Sequence, residues 1–363
     1  PRAYYPWLTM PTAQQVLTAR AKRHHLTPST RGSSDSDYLR ILAQLAPFRP
    51  PANEFPGTPA LLHDRHEDSA GATAMTVAER VRRNRHVFKA RFGGGRVAYV
   101  PTSELPLFIA AYRKERDLTL EAQAVLATLE HEGPLHKPDI AELSGVKGRE
   151  LSKQLQILQE AFLVYEEQLE TEWDNPWYHL EREQGDWLEN LPDRGEARRE
   201  VLRRFTRSYV ATTVDEAKAW SGFPKREVAG YLEELVATEH LAKTHVEGWG
   251  ERYVVTDLDD SEFEAEQTIA ILDPGDPLVV TQAQRLKEAF PGLPVLKYIF
   301  IDDRIKGLAT GRWGINPYDV DDVIVPEEAR DGQVREEIIG KLRRHFPYPE
   351  QRILRFGGEK LDS

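Results

Sequence analysis

The sequence predicts an α+β protein of three tandem winged-helix units followed by a C-terminal β-rich, barrel-like domain. Three observations carry this expectation. Residues 142–160, ELSGVKGRELSKQLQILQE, match residues 219–237, AWSGFPKREVAGYLEELVA, in register at an offset of 77. Each copy is preceded by two helix-like stretches and followed by two strand-like runs. After the acidic stretch Asp257–Glu266 the pattern changes to apolar strands broken by Pro-Gly turns.

Taken in chain order, TAQQVLTARAKRHHL and DYLRILAQLAPF read as helices, and VAERVRRNRHVF as a basic helix. KARFGGGRVAYVP reads as strand, glycine turn and strand, which is a wing. Between them the Pro-, Gly- and Ala-rich stretch beginning RPPANEF reads as a loop with one short helix at most. These pieces make a first unit over 8–113. The second unit, 118–184, has helices at Leu120–His131 and Lys137–Leu143. A glycine turn and a longer helix follow, with Leu151, Leu155, Leu158 and Phe162 on one face. The runs FLVYEEQ and WYHLE close it.

The third unit, 194–257, repeats this plan with Glu196–Tyr209, Val214–Trp220 and a helix bearing Val228, Leu232, Leu235 and Val236. Its strands, HLAKTHVEG and ERYVVTD, are joined by the tight Gly248-Trp249-Gly250 connection. Ser144-Gly145 aligns with Ser221-Gly222, Arg149-Glu150 with Arg226-Glu227, and Leu155 and Leu158 with Leu232 and Leu235. Six matches in register with the same break indicate one motif used twice. The last region, 266–363, offers the strand TIAIL, the hairpin LKYIFIDDRIKGLATGRW, the strand VDDVIVP, the amphipathic helix DGQVREEIIGKLRRHF and the strand QRILRF.

The 363 residues call for two to four domains, and there are no cysteines. A disulfide frame, a thiolate metal site and a cysteine nucleophile are thereby excluded. Without a signal-like or membrane-spanning stretch, the expected setting is a cytoplasmic monomer, nucleoid-associated if the source is bacterial, with no cofactor. The net charge of −11 argues against indiscriminate nucleic-acid binding but leaves room for a local basic face. Thr76–Arg96 holds Arg80, Arg82, Arg83, Arg85, Lys89, Arg91 and Arg96 against the single acid Glu79, whereas Glu160–Glu189 holds ten acids against Arg182 alone.

In a winged helix the helix after the turn can enter the major groove of double-stranded DNA. Lys147, Arg149 and Lys153, with Ser152, Gln154 and Gln156, are its polar candidates in the second unit. Lys225 and Arg226 serve in the third, opposed by Glu233 and Glu234. The RFGGGRVAY stretch lacks the strand–loop–helix order of a phosphate-binding loop and reads as a wing whose Arg91 and Arg96 reach the DNA backbone or minor groove.

Two further clusters have chemical potential. HDRHED at 63–68 gathers His63, His66, Glu67 and Asp68, but without zinc-hydrolase spacing, so it reads as a solvated loop and no metal is expected. Asp273 and Asp276 in DPGDPL could pair for acid–base work, but the prolines after both favour a turn-forming role.

Four stretches in order resemble the winged-helix DNA glycosylases of the AlkZ/YcaQ type, which excise alkylated or crosslinked bases. LTMPTAQQVLTARAKRHHL is similar to that family's opening helix, and RVAYVPTSELPLF to the end of its first wing. RFTRSYVATTVDEAKAWSGFPKREVAGYLEEL resembles its second internal unit, and ILDPGDPL the start of its β domain. The resemblance implies a monofunctional N-glycosylase using a polar pair, Gln–apolar–Gln or Gln–apolar–Asp, whose second member positions water against the sugar C1′. The matching region is ILAQLAPF. With Gln44 as first member, Ala46 takes the second place; an ungapped match puts Ala46 and Phe48 on the two places. Either way the pair is incomplete. The resemblance therefore implies a duplex-DNA-binding protein with a defective catalytic pair, and the alternatives are a non-enzymatic winged-helix DNA binder or regulator and a scaffold whose winged helices only pack against protein.

Overall fold

The computed structural model describes residues 11–51, 60–66, 74–167, 175–312, 319–346 and 350–361. The chain is a mixed α+β protein in two compact units, each drawing on separated stretches. One comprises Pro1–Ser33, Leu62–Glu67 and Leu202–Ser363; the other comprises Ser34–Leu61 and Asp68–Val201. The opening helix and the 62–66 segment thus belong with the later part of the chain, whereas the sequence placed them with the rest of 8–113.

Helix α1 (Ala13–Arg23) starts at Thr12, whose hydroxyl accepts from the Gln15 amide while the Gln15 side chain returns the bond to Thr12. It buries Val16, Leu17, Ala19 and Ala21. Helix α2 (Asp35–Leu45) has the same reciprocal cap from Ser34 and Asp37, and buries Tyr38, Ile41, Leu42 and Leu45. Helix α3 (Ala74–Arg83) leads into strands β1 (Val87–Phe92) and β2 (Arg96–Pro101), an antiparallel hairpin. Gly94 and Gly95 turn it at φ +79 and +77, a region side chains disfavour. Helix α4 (Leu105–Tyr112) follows.

The internal repeat is also a repeat of structure. Helices α5 (Leu120–Glu132), α6 (Lys137–Ser144) and α7 (Gly148–Glu160) precede the paired strands β3 (Val164–Glu166) and β4 (Trp177–His179), after which comes the short α8 (Leu180–Gln184). Helix α9 (Arg194–Tyr209), strand β5 (Ala211–Thr212), helices α10 (Val214–Ser221) and α11 (Lys225–Ala237), and strands β6 (Leu241–Val246) and β7 (Gly250–Val255) form the second copy, with sheet order β5-β7-β6. Both boundaries of α10 and of α11 lie 77 positions after those of α6 and α7. The Ser-Gly pair explains the shared break. Gly145 and Gly222 end their helices in the left-handed conformation at φ +74 and +73. The preceding serine hydroxyl accepts an amide two residues on, from Val146 in one copy and Phe223 in the other, each at 3.2 Å.

Leu151, Leu155 and Leu158 of α7 pack with Val125, Leu129, Ile140 and Trp177. Their counterparts Val228, Leu232 and Leu235 are buried in α11. Trp220 and Phe223 are buried as well, and Trp220 stacks on Phe205 with ring centroids 4.6 Å apart.

The last region contains strand β8 (Ile269–Leu272), helices α12 (Pro277–Thr281) and α13 (Ala283–Ala289), strands β9 (Val295–Ile301), β10 (Arg304–Gly311) and β11 (Val320–Ile324), helix α14 (Gly332–Arg344), and strands β12 (Arg355–Phe356) and β13 (Glu359–Lys360). The sheet order is β13-β12-β11-β10-β9-β8, with only the β11–β12 pairing parallel. The expected barrel is not formed: among the described residues this sheet is open, with β8 and β13 at its edges. It is covered instead by α14, whose Ile338, Ile339 and Leu342 pack with Ile269, Ile271, Ile299 and Val323.

Candidate nucleic-acid interface

The segment matched to the family's polar pair leaves the end of α2. Gln44 is half-buried in the last helical turn. Ala46 and Phe48 are buried, at 2% and 4% exposure, and so place only apolar atoms in an enclosed setting. Phe48 also extends the hairpin by one residue: its amide donates to Tyr99 O at 3.0 Å, and the Tyr99 amide donates back at 2.8 Å. Burial raises the Tyr99 phenol far above its ordinary range, so it is a neutral group at working pH.

The basic run divides sharply. Arg82 and Lys89 are buried, which removes them from the surface the sequence assigned to DNA. Arg82 follows Ala78 by one helical turn on the inner face of α3, and its Nε and Nη1 have no hydrogen-bond partner among the described residues. The Lys89 ammonium meets Glu166 at 2.6 Å. Arg91 is half-buried, with Nε donating to Gln159 Oε1 and Nη1 to Gly95 O, each at 2.8 Å. Arg80 is ion-paired with Asp35. Arg83, Arg85 and Arg96 remain exposed around the hairpin.

The helices after the two turns keep most of their polar candidates outside. Lys147, Arg149, Ser152, Lys153 and Gln156 are exposed, as are Lys225 and Arg226. Lys153 has a surface pairing with Glu150 at 3.3 Å and Lys225 with Asp215 at 2.6 Å, contacts weak enough for a phosphate to displace. Gln154 is the exception: it is buried, bonded to Glu150 and accepts from Thr119 at 3.4 Å.

The two acidic motifs meet in the unit containing the C-terminal sheet, where they are structural. Arg65 and Asp276, both buried, form an ion pair at 2.8 Å, and Arg65 Nε donates to His24 O at 3.0 Å. Asp64 accepts from the Ile271 amide at 2.8 Å and from Lys341 at 2.5 Å, and contacts His345 Nε2 at 3.3 Å. Burial alone would raise the Asp64 carboxyl, but the His345 hydrogen bond and the Lys341 charge outweigh it and hold the group well below the usual carboxylate range. The His63 ring lies 3.9 Å from the His345 ring, and burial, then the neighbouring charges, lower its basicity. The expected solvated loop is therefore a tether through Asp64 and Arg65; Glu67 and Asp68 lie outside the described residues.

Asp276 performs the turn role expected of DPGDPL. Its carboxylate accepts from the Leu278 amide at 3.0 Å at the start of α12, while Asp273 is held by Lys297 at 2.7 Å. Among the described residues no three His, Asp or Glu gather as metal ligands.

Sequence reasoning overlooked the cations of α9. Arg194 Nη2 donates to Arg113 O at 2.6 Å and Arg198 Nε to Ala111 O at 2.9 Å. Their recurrence at i and i+4 along RGEARREVLRRF was the available signal.

No helix among the described residues is long and apolar enough to cross a membrane. A search of curated proteins by sequence gives no match. Among solved structures, the fold is similar to Streptomyces sahachiroi DNA glycosylase AlkZ, with a TM-score of 0.69 and 13% identity, covering 96% of this chain and 100% of that one. The family model described as "DNA glycosylase AlkZ-like" matches residues 56–300, more than half of the sequence. The chain belongs to the AlkZ-like DNA glycosylase family.

Proposed function

We propose that this protein binds duplex DNA through a set of winged helices and that its base-excision chemistry is weak and confined to cationic alkylated bases. The observation that carries the reading is the buried apolar character of Ala46 and Phe48 where the family pattern calls for a polar second member. Cleaving a glycosidic bond builds positive charge on the sugar and requires an oriented water with a polar or anionic group beside it. Enclosed methyl and phenyl groups supply neither. Gln44 is the only polar candidate in this segment. A base such as N7-alkylguanine already carries the positive charge that makes it a good leaving group, so it demands least of the missing residue.

The helix–turn–helix and hairpin order in residues 120–179 and 194–255 supports the winged-helix reading, and α2, α3 and the β1–β2 hairpin supply the pieces of a third. Exposed Arg83, Arg85, Arg96, Lys147 and Arg149 support DNA contact. Lys225 and Arg226 are the exposed basic residues of α11. A monomer at cytoplasmic DNA is the setting this reading expects. The alternative, a non-enzymatic DNA-binding or regulatory protein on the same scaffold, is favoured by the same apolar strip if Gln44 has no chemical role.

The test is incubation of the purified protein with duplexes carrying N7-methylguanine or an uncharged lesion, followed by abasic-site cleavage. Release of N7-methylguanine alone, abolished by Gln44→Ala with duplex affinity kept within about twofold, supports the reading. Robust release of the uncharged base, insensitive to Gln44→Ala, would sink it. Binding without any release selects the non-enzymatic alternative.

A further inference from the structure

The strip that leaves α2 ends in a cation that no motif announced. Arg49 follows Phe48, and the antiparallel Phe48–Tyr99 pairing sets Arg49 opposite Ala98. Arg96 lies two residues from Ala98 along β2, so the strand alternation directs Arg49 and Arg96 to the same face as diagonal neighbours. Arg49 is half-buried and Arg96 exposed. Neither guanidinium makes a hydrogen bond or ion pair among the described residues.

Three other basic side chains of the run are occupied. Arg80 has Asp35, Lys89 has Glu166, and Arg91 has Gln159 and Gly95 O. The carboxylate beside Gly95, that of Glu160, is taken by Lys114 at 2.6 Å and Arg116 at 2.7 Å. Burial and then the Arg96 charge pull the Arg49 guanidinium down to about 10, with the Tyr112 phenol the one opposing influence. Two like charges thus share one face, with no hydrogen bond or ion pair to an anion among the described residues. Such a pair is unfavourable alone and favourable around a group that accepts from both forks, which is the geometry of arginine with phosphate.

We propose that Arg49 and Arg96 clamp one phosphodiester of the DNA strand directly beside the Gln44–Phe48 segment. The clamp rests on the duplex-binding reading above and adds to it a specific role. It fixes the register of the strand at the place where the sugar–base bond is presented, and it uses a residue, Arg49, outside the basic run.

The test compares wild-type protein with Arg49→Gln, Arg96→Gln, the double variant and an Arg83→Gln/Arg85→Gln control. Duplex affinity is measured by fluorescence anisotropy across a salt series, and melting with and without inorganic phosphate. Each single clamp variant should bind about tenfold more weakly, the scale of one charge-assisted contact. Each should also lower the salt slope by about one. Because one phosphate is shared, the double variant should lose little more than either single variant. Phosphate should raise the melting midpoint of wild type and not of Arg49→Gln, which itself should melt no lower than wild type.

Wild-type affinity and slope in both clamp variants, with loss in the Arg83/Arg85 control, would overturn the clamp and leave duplex binding standing. Absence of duplex binding by wild type would overturn both. A lowered midpoint for Arg49→Gln without phosphate would make the residue structural. Equal binding of a polyglutamate peptide, lost in the same variants, would replace the phosphodiester with a protein carboxylate.

Discussion

Replacing Asp64 with Ala tests whether the 62–66 segment fastens its unit. The carboxylate is only 6% exposed and receives the Ile271 amide at 2.8 Å, the Lys341 ammonium at 2.5 Å and the His345 ring at 3.3 Å. Lys341 is itself 5% exposed, so truncation strands an enclosed ammonium along with an enclosed backbone donor. Removing one partner of a buried pair costs about 3–5 kcal/mol. In a unit of roughly 200 residues, each kcal/mol moves the melting midpoint by about 2–4 °C. The expected fall is therefore about 6–20 °C, read by circular dichroism and checked by urea denaturation. Adding Lys341→Met to Asp64→Ala should restore part of the loss, because the stranded charge leaves with it. A midpoint for Asp64→Ala within about 2 °C of wild type would refute the tether.

The same cluster predicts acid sensitivity. Burial depresses His63 and His345 in the folded state, so the unfolded chain binds more protons, and stability falls as pH drops below about 6.5. The lowered Asp64 adds a further loss as pH falls below about 4; a flat melting midpoint between about pH 7 and 5 would contradict the histidine part. Trp220→Ala should cost about 3–5 kcal/mol, because the ring is 7% exposed and stacked on Phe205, and an unchanged melt would mean that the side chain does not pack as described. Lys89→Met should lower stability through loss of the largely buried Lys89–Glu166 pair, yet leave the duplex affinity and salt slope of the folded fraction unchanged; a fall in slope by about one would return Lys89 to the DNA surface.

Local patterns were legible wherever they determine local structure. The Ser-Gly break, the leucine spacing of α7 and α11 and the glycine-tipped hairpin all appear where the sequence placed them, because each depends on residues within a turn or two. Charge was read less well. Lys89 stands in a dense run of cations, which points to a surface, but its partner Glu166 is 77 residues away. The position of Arg82, one turn beyond buried Ala78, was a signal overlooked beneath the residue's charge. Asp64 and Arg65 looked solvated because Ile271, Asp276, Lys341 and His345, which enclose them, are more than 200 residues distant. Their roles depend on tertiary packing, which no local periodicity records.

The fold sets the strength of the proposed interface by how it divides its cations. Of the seven in the 76–96 run, two are buried, Arg80 is paired at the surface and Arg91 is bonded into the neighbouring structure. The affinity available there rests on Arg83, Arg85 and Arg96, joined in the proposed clamp by Arg49. With Arg49 and Arg96 sharing one phosphate, three phosphate contacts correspond to a salt slope of about −2.7. A slope of that order, rather than the steeper one a fully exposed run of seven would give, follows from burying charge to build the scaffold. Binding and chemistry then separate physically. A cation at the rim acts through the long-range field of the phosphate chain and tolerates a change of neighbours. Water activation acts over a single hydrogen-bond length, and in the proposed reading the buried apolar Ala46 and Phe48 do not supply it. DNA binding, which tolerates the buried cations, is therefore separate in this reading from base excision, which does not tolerate the apolar strip.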